Sequence, residues 1–393
     1  MITKNISFKN YLIKGNQEKI KNKFKILLKK NLEIIKSLKS TYQNSYQKKL
    51  ILKLSNYLNI RVIGMGGSIL GAEAIYDFLK FKISKKILFI NNLSVGNVSF
   101  VNKKKNLNLI ISKSGNTLET ISNSNLLIKK KDINVFITGN KKSYLRDLAY
   151  KLKSEIVNHN NFIGGRYSVL SEVGMLPAEL MGLNVKKFKQ FNNLVNNKKF
   201  VNSLINNVSS TLELQKKKRF TSIILNYDQS SENFFKWYQQ LIAESLGKKS
   251  KGILPIISSM PKDNHSLMQL YLDGPQKNFF TFFYVLDKSV IRVKNENILS
   301  SHKYLENKSI NKIIYSQKLA TEKVFTNKKI PFRSFEILNR NEQSMGELFC
   351  FFILETILLG MAMNINPFDQ PSVELIKIET KKTLSKSISK YNF

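Results

Sequence analysis

The sequence predicts an α/β fold of two related units, each built on a buried parallel sheet. Two observations carry this. From about residue 60, short and fully apolar strands alternate with helices: RVIGMGG (61–67), KILFI (86–90), LNLIISKSGN (107–116) and INVFITGN (133–140). After about 185 the alternation starts again, with no low-complexity linker between the two runs. Two such units in contact place a site between them.

Taken in order, residues 1–50 read as basic amphipathic helix, with Ile20, Phe24, Leu27 and Leu28 at helical spacing. Residues 1–55 are therefore expected to form an N-terminal helical segment. The first α/β unit, 56–188, has its helices at SILGAEAIYDFLK (68–80) and TLETISNSNLLIKK (117–130). The second, 189–393, opens with helix SLINNVSSTLELQKK (203–217) and strand TSIILN (221–226). The helix carrying Glu244 follows, then strands GILPII (252–257) and FFTFFYVL (279–286). Helices at about 298–325 and 341–363 come next, and a terminal helix runs from about 370 to 388.

Composition narrows the class. With 393 residues the chain buries a sizeable core. Cys350 is the single cysteine, so no disulfide forms within one chain and no Cys-based metal site exists. Neither a metal nor a cofactor is expected. The opening, MITKNISFKNYLIKG, has no apolar run of signal-peptide length. The longest apolar stretch, 348–365, is interrupted by Glu355 and Asn364, which fits a buried helix better than a membrane span. A soluble, cytoplasmic protein with no membrane partner is expected. Lys+Arg is 64 against Asp+Glu 27, a net charge of +37. The excess is mostly lysine spread evenly with Asn and Ile, as in AT-rich coding, and it forms no basic arm or RNP-like motif. No nucleic-acid partner is expected, although the same field attracts small anions.

Four segments carry chemistry. Gly64-Met65-Gly66-Gly67-Ser68 ends the first strand; its glycines permit close backbone approach to a ligand, and Ser68 opens a helix favourable to anions. Such turns are also often purely structural. Ser112, Lys113, Ser114 and Thr117 cluster hydroxyls and an ammonium between a strand end and a helix start, a phosphate cradle by hydrogen-bond count. An ordinary N-cap with incidental serines would need only one hydroxyl. Arg166, after Gly164-Gly165, either reaches an anion in a cleft or caps carbonyls. In Asn366-Pro367-Phe368-Asp369-Gln370-Pro371, prolines fix the start of the terminal helix, with Gln370 at its beginning and Lys377 about two turns in. Glu244 ends an apolar helix, and His265 follows 21 residues later in an Asp-Asn setting. Carboxylate and imidazole suit proton transfer. Read alone, they fit a solvated helix end and a turn residue better than a functional pair.

In this order, GMGGSILG, SKSGNTLET, GGRYS, AES with GKKSKG, DNHSLMQ and NPFDQPSVELIK resemble the glucose-6-phosphate isomerase family over residues 60–380. The resemblance implies two sugar-isomerase (SIS) domains, each a parallel sheet flanked by helices in three-layer αβα form. It implies an aldose–ketose isomerase interconverting D-glucose 6-phosphate and D-fructose 6-phosphate, acting in glycolysis and gluconeogenesis, usually as a homodimer. An isomerase that also accepts mannose 6-phosphate, or a non-catalytic phosphosugar-binding regulator, are the alternatives. By motif, Gly67, Ser68, Ser112, Lys113, Ser114 and Thr117 correspond to substrate phosphate contacts. Arg166 corresponds to the cation facing the enediolate, Glu244 to the base acting between C1 and C2, and Gln370 to a positioning residue. His265 and Lys377 correspond to the ring-opening pair, with the histidine supplied in relatives by the partner subunit. Two departures stand out: Ala243 replaces a frequent glycine before Glu244, and the KKSKG loop carries extra lysines.

Overall fold

The computed structural model describes residues 1–93, 106–287 and 291–385. The chain opens with a strand, β1 (Ile6–Lys9), which corrects the expectation that the N-terminal segment is helical throughout. Four residues with alternating apolar and polar character pair at a sheet edge more cheaply than they nucleate a helix. Helices Gln17–Lys29, Glu33–Ser37 and Lys48–Leu54 then follow.

The first sheet contains β2 (Asn59–Gly64), β3 (Lys86–Ile90), β4 (Leu107–Ser112), β5 (Ile133–Thr138) and β6 (Glu155–Asn158). Its order is β3-β2-β4-β5-β6, with every pairing parallel. The chain winds from β2 to one side and then crosses to the other, so the switch point lies between β2 and β4. Ligands of open α/β sheets bind outside the strand ends at such a point. Both faces are covered. Ile60, Val62, Leu109 and Val135 pack on Val173 and Leu176, whereas Ile63, Ile110 and Phe136 pack on Leu145 and Ala149.

The second sheet repeats this winding with β7 (Thr221–Asn226), β8 (Leu254–Ser259), β9 (Asn278–Val285) and β10 (Phe332–Ile337). Its order is β1-β10-β9-β7-β8, with β1 the one antiparallel member, placing Ile6 opposite Ile337. Ile223 and Leu225 face Phe280, Phe282 and Phe325, and Ile224 faces the opposite core with Phe234 and Phe283. The expected α/β class, parallel sheets between helical layers, is the observed one.

Helix Glu342–Ala362 is long and apolar enough to cross a membrane, yet 94% of its most apolar window is buried in the protein core. Glu355, the residue that argued for burial, is fully enclosed and paired with Arg333 of β10. Further along the chain, the expected helix at 298–325 begins only at Ile310, where the Ser309 side chain accepts from Lys312 N–H; short 3₁₀ turns precede it. The terminal helix is described as Val373–Ser385. Helix Leu70–Leu79, which follows β2, packs along helix Glu232–Leu246, which follows β7. Equivalent crossovers of the two units thus meet, and the candidate site lies beside that contact.

Candidate active site

Two glycine pairs bring the strand ends together. A Cβ on Gly67 would lie 2.2 Å from the carbonyl carbon of Gly165 and 2.4 Å from Arg166 N. Gly66 has φ +53°, and a Cβ there would lie 2.7 Å from Gln240 Nε2. The 3₁₀ turn Gly66–Ser68 therefore packs backbone to backbone against the turn Gly165–Leu170, which only glycine permits. Ser68 ends this turn half-buried, and the helix proper starts two residues later, at Leu70.

Arg166 is 1% exposed. All five of its N–H groups have acceptors, as a buried guanidinium requires. Nε donates to Ser245 Oγ at 2.8 Å. Nη1 donates to Glu244 Oε2 at 3.1 Å and to Gln370 Oε1. Nη2 donates to the carbonyls of Pro367 (2.8 Å) and Asp369 (3.1 Å). Arg166 thus caps carbonyls with one edge, as one of the two sequence readings has it, and meets the chain's own carboxylate Glu244 with the other. Around it, Trp237 Nε1 donates to Arg166 O at 3.1 Å, and the Tyr167 hydroxyl donates to Pro367 O at 3.0 Å. Burial pushes the Tyr167 phenol up to about 12, so it serves as a neutral donor. Glu244 remains 28% exposed and accepts from Gln240 Nε2 at 3.0 Å, one turn earlier on the same helix.

The hydroxyl segment lies between β4 and helix Leu118–Leu127. Thr117 occupies the N-cap position, yet its side chain does not cap the helix. Its Oγ1 instead lies 2.9 Å from Ser112 Oγ and 3.5 Å from Ser114 Oγ. Ser112 Oγ also accepts from Gly115 N–H (3.2 Å), and Ser114 Oγ from Asn116 N–H (3.2 Å). Among the described residues no side chain accepts from the first amides of this helix, which favours an anion there. Burial, then the like charge of Arg166, lowers the pKa of the neighbouring Lys113 ammonium. Two cations thus act on one space.

The structure gathers Gly67, Ser68, Glu244, Arg166 and Gln370 around one centre, with the Ser112–Thr117 turn at the adjoining strand end. His265 and Lys377 lie outside it. His265 closes the exposed 3₁₀ turn Lys262–His265 after β8 and has no hydrogen bond or ion pair among the described residues. Lys377 is exposed on the terminal helix, paired with Glu374 at 2.5 Å. Gln240, Ser245, Tyr167 and Trp237 also enter the site; Tyr167 and Ser245 lie in the GGRYS and AES segments, which alone give them no role, and Gln240 stands four residues before Glu244.

The fold and this site define an α/β protein of two parallel-sheet units with a candidate anion site beside their contact. A family model described as Phosphoglucose isomerase matches residues 26–254. The chain belongs to the phosphoglucose isomerase family, and it is an aldose–ketose isomerase. Glucose-6-phosphate isomerase of Methanocaldococcus jannaschii is 36% identical over 344 residues, covering 82% of this chain and 83% of its own. That of Mycoplasmopsis synoviae is 29% identical over 373 residues, 87% of each chain. Among solved structures, a glucose-6-phosphate isomerase from Chlamydia trachomatis has a TM-score of 0.70 at 19% identity, covering 91% of this chain and 78% of that one. A hypothetical protein from Thermus thermophilus reaches 0.78 at 20% identity over 94% of both. These two likenesses concern the fold.

Proposed function

We propose that glucose 6-phosphate and fructose 6-phosphate interconvert at the Arg166–Glu244 cluster. The supporting observation is a half-open carboxylate held on a buried arginine beside a turn of clustered hydroxyls and a lysine. In this reading the phosphate sits on Ser112, Lys113, Ser114 and Thr117, with Ser68 and the Gly67 backbone closing the other side. Glu244 removes the proton at C2 of the open aldose and the C1 oxygen takes up the electron pair; the C2 hydroxyl proton then passes to that oxygen, and the same carboxylate returns its proton at C1 as the C2 carbonyl forms. One base on one face of an enediol suffices, as a glutamate does in triosephosphate isomerase. The Arg166 Nη1 hydrogens, held by side chains rather than backbone, are the ones a substrate oxygen takes over as charge develops. Gln370 orients that edge.

Ring opening needs a proton delivered to the ring oxygen, and we assign it to His265 with Lys377. Both lie outside the cluster of their own chain, so the reading includes a homodimer in which His265 reaches the partner's site. Support comes from the terminal helix, none of whose residues is buried and whose Leu375, Ile376 and Leu384 are 67%, 72% and 64% exposed. We also assign the division into residues 1–55, 56–188 and 189–393, and a cytoplasmic location, since a charged phosphosugar does not cross membranes.

The test is Glu244→Gln. Turnover in a coupled isomerase assay is expected to fall by about 10²–10⁴, the usual contribution of a general base. Fructose 6-phosphate binding, measured by calorimetry, should stay within about threefold. A variant with normal turnover would sink the assignment.

A further inference from the structure

We infer that Lys248 is a positioning residue for the isomerisation: it straps the Gln370 loop against Arg166. The inference rests on the site reading above and concerns the extra-lysine loop that reading leaves unexplained. Lys248 stands four residues after Glu244, just beyond the end of the same helix. Lys248 and Lys251 face each other in an antiparallel bridge, with Lys249 (φ 55°) and Ser250 (φ 53°) both left-handed between them. Two consecutive left-handed residues are what a tight two-residue hairpin needs. The turn directs both lysines onto the chain leaving helix Glu342–Ala362.

Lys251 Nζ donates to the carbonyl of Met363 at 3.2 Å. The Lys248 ammonium donates to Asn366 O (2.5 Å), Asp369 O (2.7 Å) and Asp369 Oδ1 (2.9 Å). All three of its protons are committed, and its side chain is only 12% exposed. The bond to Lys248 is also the main reason the Asp369 carboxyl lies below the usual carboxylate range. From the other side, Arg166 holds Pro367 O, Asp369 O and Gln370 Oε1. The Asp369 carbonyl accepts from both cations. The loop is thereby clamped between two positive charges, one reaching the reacting centre and the other tied to the helix that carries Glu244.

An exposed lysine–aspartate pair would contribute little. This one differs because two of its three bonds go to main-chain carbonyls and fix the path of the loop. Removing it lets Gln370 and the Arg166 edge shift relative to Glu244, a geometric error that acts on the transition state.

The experiment compares Lys248→Met and Lys248→Arg in the full chain, with Asp369→Asn as a milder break. For Lys248→Met, kcat should fall by about 10- to 100-fold while KM for fructose 6-phosphate stays within about threefold. Thermal unfolding should be nearly unchanged, and Lys248→Arg should recover most of the rate. Asp369→Asn should lose less, since the carbonyl bonds remain. Wild-type kcat in Lys248→Met, an Arg variant as slow as the Met variant, or loss of folded Lys248→Met protein would each overturn the strap. Glu244→Gln, run alongside, separates the two readings. If it is dead while Lys248→Met is normal, only the strap is rejected; if it is fully active, the site reading fails first.

Discussion

At the scale of single residues, Gly67 is where backbone space alone decides the chemistry. Its missing Cβ is occupied by the main chain of Gly165 and Arg166, at 2.2 and 2.4 Å, and a peptide backbone cannot yield as a flexible side chain does. Gly67→Ala is therefore expected to cost about 1–3 kcal/mol of stability through overpacking. It should also reduce kcat by at least about 10²-fold, because the displaced partner carries the guanidinium. Urea unfolding and the coupled assay check the two halves separately. Full activity with unchanged stability would mean that the two turns do not pack as described. Legibility at this scale was uneven. Glycine runs and hydroxyl clusters announce themselves because few residue types tolerate those places. Arg166 stayed open between two readings because its acceptors, Glu244 and Pro367–Gln370, are 78 to 204 residues away in sequence. Lys248 was less visible still: among so many lysines, only its contact with Asp369, 121 residues on, sets it apart.

Among elements, the apolar strands were legible and the mixed ones were not. β4, β5, β7 and β9 read as apolar runs, and β2 does so after Arg61, whereas β1, β6 and β10 each carry charge that breaks the pattern. In β10 the buried charge is Arg333, whose cost is met by Glu355, Asn207 and Thr281 from three other elements, a compensation no local window contains. The loop after β6 shows a further hidden device. His159 N–H joins Thr138 O at 2.8 Å, and Asn160 N–H reaches the Glu172 carboxylate at 2.6 Å, which together lead the chain into Gly164-Gly165-Arg166. Burial holds the His159 imidazole down at about 4, against an ordinary value of 6.5. The unfolded chain therefore binds more protons than the folded one between about pH 6.5 and 4. Stability should fall as pH drops through that window and level off below it, by about 3 kcal/mol in all. Urea midpoints measured across pH 7 to 4 should show this slope, and His159→Gln should flatten it. An identical slope in the variant would assign acid sensitivity to other groups.

For the whole molecule, the question is whether one chain completes one site. The cluster beside the two crossover helices contains the proposed base and cation, while His265 and Lys377 are exposed and make no contact with it among the described residues. The proposed homodimer resolves this by donating His265 across an interface, and it must form against the mutual repulsion of two chains carrying +37 each. Mixing Glu244→Gln chains with His265→Ala chains tests the arrangement. Random pairing makes about half of all dimers mixed, and each mixed dimer has one site with both groups intact and one with neither. About a quarter of wild-type activity should therefore return, although each variant alone is nearly inactive. Because the charge repulsion is screened over about 10 Å at 0.1 M salt, recovery should be greater at 150 mM than at 20 mM salt when chains are dilute. A mixture no more active than its components, at either ionic strength, would place His265 in the site of its own chain. It would then require the Lys262–His265 turn to swing inward, a movement detectable as protection of its amides when fructose 6-phosphate binds.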